Sequence, residues 1–186
     1  MKRSEIRGRL AAMVRYRRNF VPGGTFFFTL TLDDRRSSVL VDHVALLRAA
    51  FRKTRGAQPF ALDAVVGLPD HLHAIMTLPP GDSDFSGRWR RIKAAFTRSV
   101  VAAGVPVPRD HRGEYGLWQK RFGNTPFGMT AISNAALTIF ISTPSNIDWC
   151  AWPFSSLHRY ARAGVLSRDW GGGGTADNAN FGERED

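Results

Sequence analysis

The feature that most constrains the fold is a pair of apolar runs with a two-residue break between them. The runs cover residues 60–68 (FALDAVVGL) and 71–78 (HLHAIMTL). Both are rich in strand-forming residues, and Pro69 and Asp70 between them are residue types typical of turns. A break this short lets the two strands pair only in the antiparallel sense. The sequence therefore predicts a β-hairpin, and with it an antiparallel sheet.

Four further elements surround this hairpin. Residues 25–32 (TFFFTLTL) predict another strand, because nearly every position is aromatic, β-branched or leucine. Residues 39–55 and 83–103 predict amphipathic helices, since apolar residues recur there at three- and four-residue steps. A fourth strand is predicted at residues 117–122, after a polar loop. The order strand, helix, strand, strand, helix, strand is that of a ferredoxin-like α+β sandwich, with about four antiparallel strands and helices on one face.

The charge of the chain points to a polyanionic partner. Its 186 residues include 26 basic and 16 acidic side chains, a formal net charge of +10, and nearly all the basic ones are arginine. Arginine's planar guanidinium suits phosphate oxygens and base edges, so nucleic acid is the first partner to consider. A generically basic soluble protein is the alternative. The sequence offers no basic amphipathic helix with a bulky apolar face, so a membrane surface is a less favoured partner. The single cysteine, Cys150, leads us to expect a cytoplasmic protein.

The composition changes along the chain and predicts three parts. Residues 1–19 form a basic arm rich in arginine. Residues 20–170 form one DNA-binding domain of ordinary size. Residues 171–186 form a Gly-rich, acidic tail, which we expect to be disordered.

Two histidines lie at the start of the second hairpin strand. Since successive side chains of a strand alternate between faces, His71 and His73 leave the same face of the sheet. Two imidazoles on one face can ligate a divalent metal if another group completes the site. Two histidines on a strand are also compatible with ordinary packed or surface residues, and the spacing alone leaves both interpretations open.

The same histidines belong to a longer pattern that resembles a known family. The segment LPDHLH at residues 68–73 looks like the HUH motif, two histidines that flank a hydrophobic residue, of single-tyrosine transposases. More specifically, the chain resembles the REP-associated tyrosine transposases, which act on repetitive extragenic palindromes in bacteria. Further segments that resemble the family are YRRNFVPGGT at residues 16–25, LPPGD at 78–82, DFS at 84–86, RW at 88–89, GLWQKRF at 116–122, WPFSSLHRY at 152–160, Gly164 and DWG at 169–171.

The resemblance implies a fold, a ligand and a chemistry. Members have a ferredoxin-like fold and bind single-stranded DNA beside a hairpin foot. The histidine pair and a third ligand hold Mg²⁺ or Mn²⁺, which polarises the scissile phosphate. A tyrosine on a later helix then attacks that phosphate and forms a 5′-phosphotyrosine. For this chain the resemblance implies His71 and His73 as metal ligands, DNA as partner, and a monomer or a homodimer.

The chain departs from the family at this later helix. Ile139 stands where the family has the nucleophilic tyrosine, and Thr143 stands where it has the asparagine that is the third metal ligand. Pro144 matches the family's proline. Residues 122–147 contain no Asp, Glu, Lys or Arg, whereas about six such residues would be expected from the chain's 23% charged fraction. The chain is therefore predicted to be catalytically impaired, with no intact catalytic tyrosine.

A shifted reading frame would account for this uncharged segment. Residues 123–129 (GNTPFGM) can be encoded GGG AAC ACA CCA TTC GGG ATG, and with a preceding T the other frame gives Trp-Glu-His-Thr-Ile-Arg-Asp, which looks like the family's sequence. Residues 137–147 behave in the same way and yield Asp-Tyr-Ile-His-Phe-Asn-Pro-Val-Lys-His. The third base of most codons can vary freely, but two of every three bases are fixed by the amino acids. The hypothesis fails if the codons of the gene cannot be read this way.

Three functions follow from these observations. The first is a DNA-cleaving transposase, which needs a tyrosine that the sequence does not place; Tyr115 and Tyr160 fit a loop residue and a packing residue better. The second is a protein that binds hairpin DNA without cutting it. The third is a metal-dependent hydrolase that uses His71 and His73 with carboxylates such as Asp70. The residues predicted to contact DNA are Arg15, Arg17, Arg18, Arg88, Arg91, Lys93, Arg98, Lys120, Arg121, His158, Arg159 and Arg162.

Overall fold

The computed structural model describes residues 21–127 and 153–164. The predicted basic arm at residues 1–19, the acidic tail at 171–186, Ile139 and Thr143 lie outside the described residues. The elements in chain order are β1 (Thr25–Thr31), α1 (Val39–Asp42), α2 (Val44–Ala57), β2 (Ala61–Gly67), β3 (His71–Thr77), α3 (Phe85–Ala102), β4 (Gly123–Phe127) and α4 (Leu157–Arg162).

The four strands form one antiparallel sheet in the order β2-β3-β1-β4. The predicted hairpin of β2 and β3 is confirmed, and its turn is closed by a 2.8 Å bond from the Leu68 N–H to the His71 carbonyl. The two central strands are β1 and β3, and each helical connection joins strands that are not neighbours. This topology confirms the predicted α+β ferredoxin-like sandwich.

One face of the sheet, which we call the helix face, carries the hydrophobic core. The side chains of Phe26 and Phe28 of β1 point toward α2 and α3, and so do those of the even-numbered residues of β3. Trp89 of α3 is fully buried and packs edge-on against both Phe28 and Phe51 of α2. The aromatic residues of the first strand therefore anchor both long helices, as the apolar spacing of these helices predicts.

Helix α3 begins where the sequence offers a cap. The Asp84 side chain accepts a hydrogen bond of 2.7 Å from the Gly87 N–H. A side chain on Gly87 would collide with this carboxylate, because a Cβ atom at that position would overlap Oδ2 of Asp84. The cap thus needs both the acid and the glycine.

Two element boundaries differ from the prediction. The helix expected at residues 39–55 is divided, because His43 has φ −115° and ψ 34° and separates α1 from α2. The fourth strand begins at Gly123, so the strand predicted at residues 117–122 is wrong. Trp118 in that segment forms only an isolated bridge to Leu32 and packs against Phe96 of α3.

The C-terminal segment extends the edge of the sheet beside β2. The Gly67 N–H donates to the Phe154 carbonyl at 2.9 Å, and the Ser156 N–H donates to the Val65 carbonyl at 2.8 Å. The Ser156 hydroxyl accepts from the Val65 N–H. Within the described ranges, no helix is long and apolar enough to cross a membrane.

Candidate metal centre and nucleic-acid interface

The two histidines lie on the sheet face opposite the long helices, which we call the histidine face. His71 pairs with Thr31 and His73 pairs with Thr29 across the β1–β3 ladder. The two imidazole rings have their centroids 5.0 Å apart and meet nearly at a right angle. The period-two alternation of β3 therefore brings together the pair that the sequence predicts.

A carboxylate fixes the orientation of His71. Its Nδ1 lies 2.7 Å from Oδ1 of Asp70, and the other carboxylate oxygen of Asp70 lies 2.7 Å from Nε of Arg35. Because a carboxylate only accepts, Nδ1 of His71 carries the donated proton. In the neutral ring the lone pair then lies on Nε2, the arrangement that a carboxylate-oriented metal ligand requires.

His73 is more deeply enclosed, with 5% of the residue exposed. Its Nδ1 is hydrogen-bonded to the Thr29 hydroxyl at 2.9 Å, and its ring stacks on Phe27 with 5.4 Å between centroids. Its Nε2 is buried and has no hydrogen-bond partner in the part of the chain that the structure describes. A buried polar atom without a partner is costly, so this nitrogen is the atom of the site that most requires a ligand.

The protonation state of His73 suits metal binding. Burial, with a smaller contribution from the nearby His71, lowers the pKa of His73 to about 4. The imidazole is therefore neutral at pH 7 and offers a lone pair. Imidazole nitrogens are ligands for divalent cations, and two of them supply part of a coordination sphere. Among the described residues no cluster of three metal-ligating side chains is present, and the predicted third position, Thr143, is not among them.

Arg88 is a correction to the predicted DNA contacts. It is 2% exposed, and its guanidinium donates to the carbonyl oxygens of Pro59 and Asp84 and to the carboxylate of Asp82. The hydrogen bond from Arg88 also lowers the pKa of Asp82. The guanidinium is thus occupied by protein acceptors, and it tethers the loop between α2 and β2 to the start of α3. The sequence indicates that Arg88 lies on the core side of α3, since it stands four residues before the core residue Ile92 and shares its helix face.

The other predicted contacts of α3 and the following loop are accessible to different degrees. Arg91, Arg98, Lys120 and Arg121 are exposed. Lys93 is half-buried and donates to the Gln119 carbonyl at 2.9 Å, with its ammonium 5.7 Å from the centre of the Trp118 ring. Burial lowers the pKa of Lys93. Lys93, Arg98 and Lys120 line one cleft of about 730 Å³ between α3 and the loop.

The C-terminal contacts lie on α4. Arg159 and Arg162 are exposed and His158 is half-buried. Arg159 and the Tyr160 hydroxyl both donate to the Asp63 carbonyl of β2, a contact that fits the packing role expected for Tyr160. Tyr115 lies in the loop before β4, where the Arg109 guanidinium covers its ring at 4.0 Å. Arg15, Arg17 and Arg18 lie outside the described residues.

Sequence reasoning missed two groups of side chains. Thr29 and Arg35 support the histidine pair and lie far from it in the sequence, whereas Asp70, which adjoins His71, is predicted only as a carboxylate of the hydrolase alternative. Helix α2 also presents three exposed arginines, Arg48, Arg52 and Arg55, on one face. Their spacing of four and then three residues, on a helix with no acidic residue, is the signal that could have identified them.

Comparison with known proteins agrees with this arrangement. No protein-family model matches the chain. A REP-associated tyrosine transposase of Escherichia coli is 38% identical over 164 residues, which cover 86% of this chain and 92% of the relative. A Haemophilus influenzae protein that carries the same family name is 33% identical over 166 residues, covering 86% of this chain and 94% of the relative.

A solved structure extends the agreement to three dimensions. It is described as a REP-associated tyrosine transposase bound to a REP hairpin, and it superposes with a TM-score of 0.71 at 36% identity, covering 93% of this chain and 99% of that one. Sequence identity of this extent and a shared fold confirm the resemblance to the REP-associated tyrosine transposases. The chain belongs to the family of REP-associated tyrosine transposases.

Proposed function

We propose that this chain binds hairpin DNA with its adjoining single strand, holds a divalent cation at His71 and His73, and does not cut the DNA. The observation that carries the proposal is the histidine pair, in which both Nδ1 atoms are held by neighbours and Nε2 of His73 is buried without a described partner. The hairpin is the DNA bound in the related solved structure.

The residues around the pair would hold the cation, which we propose to be Mg²⁺ or Mn²⁺. Nε2 of His71 and Nε2 of His73 are the proposed ligand atoms; Asp70 accepts from Nδ1 of His71, and Nδ1 of His73 would donate to the Thr29 hydroxyl when its Nε2 binds the cation. A bound cation supplies Lewis-acid polarisation of a phosphate oxygen. Phe27, stacked on His73, keeps water from one side of that ring. Imidazole ligands suit Mn²⁺ better than Mg²⁺, so Mn²⁺ is the better probe.

Binding without cleavage follows from the residues at the family's catalytic positions. Ile139 has no nucleophilic atom where the family has its tyrosine, and the Thr143 hydroxyl is a weaker metal ligand than an asparagine carbonyl oxygen. The absence of charge from residues 122–147 supports a shifted reading frame as the cause. The proposed parts remain a basic arm at 1–19, a DNA-binding domain at 20–170 and an acidic tail at 171–186, acting in the cytoplasm as a monomer or homodimer.

In this proposal, exposed cationic side chains contact the DNA phosphates. They are Arg91, Arg98, Lys120, Arg121, Arg159 and Arg162, with Arg15, Arg17 and Arg18 from the arm and Lys93 and His158 in more enclosed positions. Phosphate contacts of this kind release counterions. Binding should therefore weaken about a hundredfold or more between 50 and 200 mM salt if four or more phosphates are contacted.

The test is a titration of a fluorescent DNA hairpin with a single-stranded extension, measured by anisotropy at several salt concentrations. Binding with a steep salt dependence supports the proposal, whereas absent binding or a flat salt response contradicts it. The cation is tested separately by calorimetric titration with Mn²⁺. We expect the His71→Ala/His73→Ala variant to lose Mn²⁺ binding, and the control His111→Ala, in an exposed loop, to keep it. Equal Mn²⁺ binding by both variants would contradict the assignment.

A further inference from the structure

A cavity of about 310 Å³ lies on the helix side of β2, away from the histidine pair. Its walls are the apolar side chains Leu47 and Phe51 of α2, Phe60, and Val65 of β2, and Phe154 of the C-terminal segment closes one side. Clefts of about this size hold small organic ligands. The volume is sufficient for one nucleobase.

Cationic side chains surround this apolar interior. Arg48, Arg52 and Arg55 of α2 all border the cavity and are exposed. None of the three forms an ion pair with a residue that the structure describes. Arg55 lies in the last turn of α2, where a cation stabilises the helix end, so Arg48 and Arg52 carry the argument.

The spacing of these arginines has no benefit for the helix itself. Arg48 and Arg52 are four residues apart, and like charges at that spacing destabilise a helix. Helix α2 contains no acidic residue to offset them. The nearby Asp63 of β2 accepts a hydrogen bond from the Thr77 hydroxyl. A bound anion would remove the repulsion that the sequence of α2 leaves in place.

We propose that this cavity receives one nucleotide of the single-stranded DNA beside the hairpin, with its base against the apolar walls and its phosphate on Arg48 and Arg52. The proposal rests on the proposed function, because it assumes that the chain binds such DNA. It assigns the α2 arginines, which the sequence prediction did not include, to recognition of an unpaired nucleotide. Guanidinium and aromatic groups are the side chains on which unpaired bases stack.

The position of the cavity allows one DNA strand to reach it from the histidine pair. Strand β2 is the neighbour of β3, and Val66 of β2 pairs with His73. Adjacent strands lie about 4.8 Å apart. Among the described residues, the edge of β2, beside which Phe154 and Ser156 lie, separates the histidine face from the cavity. A nucleotide a few positions from a phosphate at the histidines could therefore pass around this edge.

The experiment compares the loss of a base with the loss of the arginines. Hairpin DNA with a four-nucleotide single-stranded extension is used intact and with an abasic site at each extension position in turn. For the wild-type chain we expect one position at which base removal weakens binding about tenfold. The variant Arg48→Gln/Arg52→Gln should bind intact DNA about tenfold more weakly and lose most of the sensitivity at that position.

Lys53→Gln provides the matched control, because Lys53 lies on the same helix and borders grooves beside α3 instead of this cavity. It should keep the base-specific effect and change the affinity little. The proposal is overturned if the double variant binds as the Lys53→Gln variant does, or if every abasic position costs the wild type and the double variant the same factor. Thermal unfolding confirms that all variants are folded.

A direct probe separates this proposal from the proposed function. Saturation-transfer NMR with a three-nucleotide single-stranded DNA should show transfer from the protein to base protons, and the transfer should be lost in Arg48→Gln/Arg52→Gln. If the wild type fails to bind hairpin DNA, the proposed function fails, and the NMR result alone decides on the cavity. Equal transfer in the wild type and the double variant, or none in the wild type, overturns the cavity assignment.

Discussion

The two faces of the sheet are built from the same strands and do opposite things. On the helix face, Phe26 and Phe28 of β1 are completely buried against α2 and α3. On the histidine face, Thr29, the residue after Phe28, bonds to His73, whose Nε2 is buried without a described partner. The helix face is a close-packed apolar layer, whose Trp89 Nε1 is also buried without a described partner, whereas the histidine face brings together the hydrogen-bonded polar side chains of His71, His73, Thr29 and Asp70. We infer from this difference that the helix face carries the stability of the domain, and we propose that the histidine face carries its ligand chemistry.

The largest effect is expected from breaking the helix face. Replacing Trp89 by Ala removes a fully buried ring that contacts Phe28 and Phe51, and large aromatic-to-alanine changes in cores cost about 3–5 kcal/mol. The matched change on the histidine face, His71→Ala, should cost much less in metal-free buffer because His71 is partly exposed. Denaturant unfolding measures both, and equal losses would contradict the division between the faces.

A change of pH between about 4 and 6.5 should act on the histidine face through His73. His73 has a pKa of about 4 when folded and about 6.5 when unfolded. Between these values the unfolded chain binds the extra proton, so stability falls as the pH drops from about 6.5 to about 4. The loss should approach about 3 kcal/mol, which corresponds to the shift in pKa.

Denaturant unfolding with a chelator present measures the free energy of unfolding of the wild type and of the His73→Gln variant at each pH. The difference between the two is the contribution of His73. The variant should have a shallower pH dependence over this range. His111→Gln, in the exposed loop, should keep the wild-type dependence. Parallel curves for the wild type and His73→Gln would show that the burial of His73 has no effect on stability.

A smaller effect distinguishes structural from ligand-binding arginines on α3. Arg88→Ala leaves the Pro59 carbonyl without its donor and removes a 2.6 Å ion pair with Asp82, which should cost about 2 kcal/mol. Arg91→Ala, on the exposed side of the same helix, should leave the free energy of unfolding unchanged and weaken DNA binding instead. The reverse result, with Arg91 affecting stability and Arg88 affecting DNA binding, would make Arg88 a DNA contact after all.

The parts of the fold that could be predicted are those set by local patterns. The hairpin of β2 and β3 is determined by two apolar runs and a two-residue turn, and the histidine pair follows from strand alternation. The position of β4 could not be predicted, because Gly123 and Pro126 are poor strand residues. Strand β4 lies at the edge of the sheet, where proline is tolerated, and its pairing with β1 overrides its low propensity.

The rest of the site depends on contacts between distant parts of the chain. Thr29 reaches His73 only after β1 and β3 pair, and Arg35 reaches Asp70 only through the fold. The three acceptors of Arg88 come from two loops that its helical position does not reveal. The cavity beside α2 forms between elements nearly a hundred residues apart. No spacing rule places such groups together.

One measurement on the full chain tests the proposed binding of DNA without cleavage. The full chain is incubated with Mn²⁺ and a labelled hairpin with single-stranded flanks, and the mixture is analysed both under native conditions and after denaturation. We predict a shifted native complex and, after denaturation, uncut DNA with no protein attached, because Ile139 has no nucleophilic atom. A covalent protein–DNA adduct that survives denaturation would contradict this account.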